Sequence, residues 1–155
     1  MFDRLNQLLT AEQAEYRVIH HPSEGISDKV AAIRGTEVGQ GAKAMLCRLK
    51  GAAHELVLAV LPGDARIDFK KIAQILNAKK ATLASADDAM AKTGCVIGAI
   101  PPFSFSTDLP LIVDESLIAR YDEIAFNAGR LDASIVLNSS DYVRIAAPIL
   151  VTITA

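Results

Sequence analysis

The stretch T-G-C-V-I-G-A-I-P-P-F-S-F, residues 93–105, is the segment around which we expect this chain to fold. Gly98 has no Cβ, so its backbone can adopt unusual φ values or approach a neighbour closely. Pro101 and Pro102 fix their own φ, lack an N–H and push the residue before each of them towards an extended conformation. The segment is therefore predicted to be a stiff loop, neither a helix interior nor a central strand.

The backbone N–H groups of this loop, around Gly98, Ala99 and Ile100, are candidates for contact with a substrate because no regular ladder is expected to use them. The alternative is an apolar turn that closes the core, and composition by itself favours that alternative. A functional interpretation of the loop therefore depends on residues elsewhere in the chain.

The size and composition of the chain predict one globular domain, residues 1–155, with 51% hydrophobic and 22% charged residues. The formal net charge of −2 argues against extensive binding to a nucleic-acid backbone. It permits a small basic rim, or a set of ordinary surface charges, formed by Lys29, Arg34, Arg48, Lys50, Lys70 and Lys71.

The N-terminal sequence has no signal-peptide pattern, and no stretch is long enough for a transmembrane helix. With Cys47 and Cys95 in apolar runs, we expect a cytoplasmic protein with free thiols. The two cysteines and three histidines show no metal-ligand spacing, so neither a metal nor a cofactor is expected.

Hydrophobic periodicity, caps and breakers predict a mixture of helices and strands without strict β-α-β alternation, which favours an α+β fold. Helices are expected over 2–14, from a Ser27 cap to Gly35, over 69–77 after Asp68, from Ser85 to about Thr93, from Asp114 to Arg120, and from a Ser139 or Ser140 cap to before Pro148. Strands are expected over 16–20, 42–50, 54–61, 109–113, 123–127 and 133–137. In the second helix we expect Val30, Ala31 and Ile33 to face inward.

Lys43 is the most informative single residue, because it lies among apolar residues at the start of a strand predicted to be half-buried. A lysine there either extends its ammonium to the surface or meets an anion or a carbonyl. Spacing alone favours the first interpretation. The second would make it a group that stabilises developing negative charge.

Other polar residues carry weaker signals. His20 and His21 end a predicted strand and are more often exposed turn residues than general bases. Cys47 shares strand parity with Lys43 but is more typical of a core thiol. No order of Ser, His and Asp typical of a catalytic triad is present. Asn127 precedes Ala128-Gly129, where its amide can reach a pocket or simply support a turn.

Three segments together resemble the YbaK/ProX family of aminoacyl-tRNA deacylases, which is similar to the editing domain of bacterial prolyl-tRNA synthetase. They are G-Q-G-A-K-A-M-L-C-R-L-K-G (39–51), the 93–105 stretch, and D-E-I-A-F-N-A-G-R-L-D-A-S-I-V-L (122–137). The residues of these segments and the spacing between them both match over residues 5–147, and the stand-alone trans-editing branch is the most similar.

The resemblance implies a mixed, partly closed, barrel-like β-sheet flanked by helices. It also implies hydrolysis of the ester that joins a wrong amino acid to the tRNA 3′ end, with an aminoacyl-tRNA synthetase as a second possible partner. The family's lysine falls on Lys43 and its G-x-x-x-P loop on Gly98–Pro102. Asn127 stands where the alanine-specific branch often has histidine, which is a departure from that branch.

The resemblance and the residue patterns together place the expected catalytic groups at Lys43, Gly98, Ala99 and Ile100. They place the expected substrate-binding groups at His20, Met45, Cys47, Pro101, Pro102, Phe103 and Asn127. An aminoacyl ester is already activated, so an oriented ester, an oxyanion donor and a placed water are sufficient. We expect serine or threonine to be removed first and alanine second. The alternatives are a non-catalytic module that binds aminoacyl-tRNA or a synthetase, and a hydrolase of small free esters.

Overall fold

The computed structural model describes residues 1–155, which form six α-helices and eight strands. The helices are α1 (Phe2–Ala11), α2 (Ser27–Arg34), α3 (Phe69–Ile75), α4 (Ala86–Thr93), α5 (Glu115–Arg120) and α6 (Ser139–Ala146). The strands are β1 (Tyr16–His20), β2 (Ala42–Lys50), β3 (Leu56–Pro62), β4 (Lys80–Leu83), β5 (Leu111–Asp114), β6 (Glu123–Arg130), β7 (Ala133–Asn138) and β8 (Ile149–Val151). A short 3-10 helix, Val38–Gln40, precedes β2.

The strands form two sheets that meet at one point. The smaller sheet has the order β1-β7-β6 and is antiparallel, whereas the larger has the order β4-β2-β3-β5-β8. In the larger sheet β2 pairs antiparallel with β3 and β4, and β3, β5 and β8 run parallel. A single parallel bridge between Gly41 and Ala125 joins the sheets. The predicted α+β class with a mixed, partly closed sheet is confirmed.

Strand β2 separates two hydrophobic clusters because its successive side chains point to opposite faces. Leu46 belongs to the larger cluster, which also contains Phe126 and Tyr142. Cys47 and its neighbours on the other face belong to a smaller cluster that includes Ile72 of α3. The larger cluster lies between the two sheets, which is also where the cavity described below opens.

Side-chain caps begin three helices as predicted: Asp68, Ser85 and Asp114 each accept a hydrogen bond from a backbone N–H in the first turn. Such caps stabilise a helix by about 1 kcal/mol. For α6 the predicted cap at Ser139 or Ser140 is wrong, because Asn138 accepts from the N–H of Asp141 instead.

Helix α2 differs from its predicted form at both its cap and its buried face. Ser27 is its first residue and not its cap, and Ile33 is 41% exposed although it was expected to face inward. Val30 and Ala31 are buried. Arg34 lies four residues after Val30 and three after Ala31, and therefore on the same face of the helix. The helix therefore turns Arg34 inward, and Ile33, which the sequence pattern places inward, faces outward.

Two edge strands, β4 and β8, were not predicted. They are four and three residues long, and most of their residues are exposed, so neither shows an alternation long enough to detect. Other bounds differ by a few residues, most visibly in α1, which ends at Ala11, and in β6, which continues to Arg130. None of the helices is both long and apolar enough to cross a membrane.

Candidate active site

A cavity of about 200 Å³ opens where the two sheets meet. Its walls come from α2, the first half of β2, the loop after α4, and β6, and 11 of its 18 lining residues are hydrophobic. Lys43 and Arg34 are its charged lining residues, and no carboxylate is among them. An apolar cavity with two cations and no acid suits a ligand that carries or develops negative charge.

The structure brings together five of the residues predicted for the site and leaves six outside. Lys43, Met45, Gly98, Ile100 and Asn127 line the cavity. The residues that do not line it are His20, Cys47, Ala99, Pro101, Pro102 and Phe103. The first group comes from three separate segments, so the cavity exists only because the chain folds them together.

The ammonium of Lys43 is held at one edge of the site. Its Nζ donates to the carbonyl oxygen of Ala65 at 2.9 Å, which leaves two of its three N–H groups for a ligand. Burial lowers the pKa of Lys43, although the nearby carboxylate of Asp64 acts in the opposite direction. Arg120 in turn binds that carboxylate through both oxygens, at 3.1 and 2.9 Å. Lys43 is thus a positioned cation at the cavity wall.

Gly98 adopts a φ of 91°, a region that residues with a Cβ rarely occupy. A Cβ there would also lie 3.2 Å from Cα and 3.3 Å from the carbonyl oxygen of Gly25, so two glycine backbones pack directly against each other. The close approach predicted at Gly98 is therefore made by another part of the chain. This contact brings the 93–105 loop against the segment that leads into α2.

The N–H groups of the loop differ in their availability. The N–H of Ala99 donates to the carbonyl of Val96 at 3.0 Å, and its own carbonyl accepts from Gly129 at 2.9 Å. The N–H groups of Gly98 and Ile100 make no hydrogen bond within the protein. Two of the three predicted donors thus have no partner within the chain, while Ala99 anchors the loop to β6.

The side-chain amide of Asn127 uses its full hydrogen-bonding capacity within the protein. Its Nδ2 donates to the carbonyl oxygens of Glu24 and Gly98, both at 2.9 Å. Its Oδ1 accepts from Arg34 at 3.0 Å and from Ser134 at 3.1 Å. A planar amide offers two donors and two acceptor positions, so none remains for a substrate. Asn127 joins the two loops that form one wall of the cavity.

Arg34, Ser134 and His21 complete this polar network. The sequence suggests Arg34 for a surface rim and His21 for an exposed turn, and it does not single out Ser134. Arg34 Nε donates to the hydroxyl of Ser134 at 2.7 Å, and His21 Nε2 lies 2.7 Å from the same hydroxyl. The neighbouring His20 is exposed and its ring lies 6.1 Å from that of Phe2. Of the two adjacent histidines, the structure brings His21 to the network.

The proline pair and Phe103 anchor the loop to the core instead of facing the cavity. Tyr142 donates its hydroxyl to the carbonyl oxygen of Pro102 at 2.6 Å. The ring of Phe103 packs edge-on against Phe126 and Tyr142, with centroids 5.9 and 5.2 Å away. Pro102 and Phe103 are therefore structural, and Ile97, Gly98 and Ile100 are the residues of the 93–105 stretch that line the cavity.

Cys47 is buried in the smaller hydrophobic cluster, on the face of β2 away from the large core. Burial raises the pKa of its thiol to about 12, so the reactive thiolate is essentially absent at neutral pH.

We expect Cys47→Ala to keep hydrolytic activity while the free energy of unfolding falls by about 1–2 kcal/mol through lost packing. Initial rates and urea titrations measure the two effects, and loss of activity in a folded variant would show that the thiol takes part.

Known proteins share sequence similarity with this chain. Residues 20–145 match the family model described as the aminoacyl-tRNA editing domain. The chain is 48% identical to the multifunctional Ser/Thr-tRNA deacylase ProXp-y of Escherichia coli K12, over 96% of this chain and 89% of that protein. It is 28% identical to the proline–tRNA ligase of Bacillus licheniformis, over 74% of this chain and 20% of that enzyme.

Solved structures share the fold. The chain superposes on the crystal structure of a candidate trans-editing enzyme for prolyl-tRNA synthetase with a TM-score of 0.84, covering 99% of this chain and 96% of that one. The two sequences are 21% identical, so this similarity establishes the architecture alone.

Proposed function

Since this chain belongs to the aminoacyl-tRNA editing domain family, we propose that it is a trans-editing hydrolase that cleaves the ester of mischarged aminoacyl-tRNA. The observation that carries the proposal is the cavity itself. It combines a positioned ammonium at Lys43, free N–H groups at Gly98 and Ile100, and no acidic residue. These are groups that stabilise negative charge on oxygen.

The proposed reaction needs no protein nucleophile because an aminoacyl ester is an activated acyl group. Water attacks the carbonyl carbon, the carbonyl oxygen becomes an oxyanion, and the ribose oxygen leaves. The two unused N–H groups of Lys43 stabilise the oxyanion, and the N–H groups of Gly98 and Ile100 orient the ester or the water. A neighbouring ribose hydroxyl of the substrate can relay a proton from the attacking water to the leaving ribose oxygen.

The proposed substrates carry small amino acids, serine or threonine first and alanine second. A cavity of about 200 Å³ with Met45 and Ile100 in its walls has to hold the ester and the terminal ribose as well as the side chain, which favours small amino acids. It cannot reject a smaller side chain strongly, since a missing methylene changes binding by about 1–3 kcal/mol. The name of the Escherichia coli relative gives Ser- and Thr-tRNA as its substrates, which supports serine and threonine in this proposal.

The partner in this proposal is the aminoacylated 3′ end of tRNA. The similarity to a proline–tRNA ligase leaves a synthetase as a second partner that would deliver the mischarged tRNA.

A panel of mischarged tRNAs tests the proposed function. We expect the protein to release serine and threonine fastest, alanine more slowly, and a large residue such as phenylalanine at the uncatalysed rate. Binding of the tRNAs without release of any amino acid would instead favour a binding module. Faster release from serine methyl ester than from Ser-tRNA at equal concentration would favour a hydrolase of small esters.

Asn127→Ala tests how the cavity recognises its substrate. Because all four positions of the amide are occupied within the protein, we propose that Asn127 holds the Gly98 loop and does not contact the substrate hydroxyl. The variant should lose activity on Ser-, Thr- and Ala-tRNA by a similar factor, about tenfold or more, as the loop loses its tie. Single-turnover rates on the three tRNAs measure this, and a changed serine-to-alanine ratio would instead indicate direct recognition.

A further inference from the structure

Arg34 is a cation inside the cavity that no carboxylate of this chain neutralises. It takes part in no salt bridge, and its two hydrogen-bond partners, Ser134 and Asn127, are neutral. Burial lowers its pKa to about 10, so the guanidinium still carries its charge at neutral pH.

One edge of this guanidinium is unused. Nε and Nη2 are fixed by their bonds to Ser134 and Asn127, at 2.7 and 3.0 Å. Nη1 bonds no protein atom and is accessible to solvent. It lies 3.9 Å from the position that a Cβ on Gly41 would occupy. The side chain is therefore held rigidly by one edge, and the other edge remains accessible at the cavity wall.

An unpaired, half-buried charge is unfavourable for folding unless it meets an opposite charge in the functional state. Ser134 and Asn127 orient the guanidinium but supply no negative charge. A planar guanidinium with a free edge is suited to a two-oxygen anion such as a phosphate. The arrangement indicates a binding group for an anionic part of the ligand.

We propose that the free edge of Arg34 binds a phosphodiester oxygen of the single-stranded 3′ end of the substrate, while Lys43 acts at the ester. This inference rests on the proposed function. The esterified amino acid has no free carboxylate, so the standing negative charges of such a substrate are its phosphates. The two cations of the cavity then have different roles: Arg34 binds the nucleic-acid strand, and Lys43 stabilises negative charge on the reacting carbonyl oxygen.

Two short substrates separate a role at the phosphate from a role at the ester. Seryl-adenosine has the ester but no phosphate, and a seryl-CCA trinucleotide has the same ester with phosphodiesters. Arg34→Gln keeps a hydrogen-bonding side chain without the charge. We expect it to lower kcat/KM on seryl-CCA by about ten- to a hundredfold, mostly through KM, and to change seryl-adenosine hydrolysis far less.

The salt dependence of binding gives a readout that a purely structural role would not move. For the CCA trinucleotide without an esterified amino acid, the slope of log Kd against log salt concentration should become shallower by about 0.7 in Arg34→Gln. This is the change expected for one lost phosphate contact on a single strand. Arg34→Lys keeps the charge and should retain that slope with weaker binding. Arg144→Gln removes an exposed arginine outside the cavity and should leave both measurements unchanged.

Equal losses on the two substrates would overturn the inference and place Arg34 at the oxyanion or in the scaffold. Unchanged CCA binding and an unchanged slope would also overturn it. If the wild-type protein releases serine from neither short substrate nor from Ser-tRNA, the proposed function fails. CCA binding by Arg34→Gln, followed by fluorescence anisotropy, then still decides whether Arg34 contacts phosphate.

Discussion

Lys43→Met should lower the rate of ester hydrolysis by about a hundred- to a thousandfold, the usual effect of removing one group that stabilises an oxyanion. Methionine keeps an unbranched side chain of similar length and removes the ammonium. The bond to Ala65 is lost, but so is the unfavourable burial of a charge, so the free energy of unfolding should change by at most about 1 kcal/mol. Single-turnover rates and urea titrations measure the two effects.

Lys71 offers a matched control. Its Nζ donates to the backbone carbonyl of Thr154 at 2.7 Å, and its side chain is half-buried, but it does not line the cavity. Lys71→Met removes the same kind of contact from the same protein. We expect it to hydrolyse substrate at the wild-type rate. A similar loss in both variants would mean that the loss at Lys43 reflects general damage and not its place in the cavity.

Gly98→Val should nearly abolish hydrolysis and destabilise the protein. A side chain at a φ of 91° is strained by about 1–3 kcal/mol. The added Cβ also meets the Gly25 backbone at 3.2 Å, and displacing that backbone costs about 1–3 kcal/mol more. The displaced loop would carry its free N–H groups away from the ester, and a shift of about 1 Å can reduce a rate a hundredfold.

Gly94→Val separates the two causes, because Gly94 also has a positive φ, 73°, but nothing lies within 4 Å of its Cβ position. It should show the backbone strain alone and keep its activity. Thermal unfolding and kcat/KM of the two variants are compared with those of the wild type. Gly98→Val with wild-type activity would show that the loop is only a turn of the core.

The 93–105 stretch illustrates what the sequence could predict. Glycine and proline impose local backbone limits, so the loop and the importance of Gly98 follow from residue type alone. The partner of Gly98 is 73 positions away in the chain, at Gly25, and no local pattern identifies it. Contacts between distant segments depend on how the sheets meet, which a single sequence does not reveal.

Arg34 shows the same limit in the candidate site. Its position three and four residues after two buried residues is a signal that could have placed it inward, although arginines are far more often exposed. The hydroxyl and amide that orient it lie 100 and 93 positions away. Conversely, Cys47 shares the strand parity of Lys43, yet it packs into the smaller hydrophobic cluster beyond the cavity, where parity alone could not separate wall from core.

The most direct test of the central claim is single-turnover hydrolysis of seryl-tRNA by the wild-type protein and by Lys43→Met, side by side at saturating enzyme. We expect rapid release of serine by the wild type and a rate at least about a hundredfold lower for a folded Lys43→Met protein. Absence of release by the wild type, or equal release by both proteins, would contradict it.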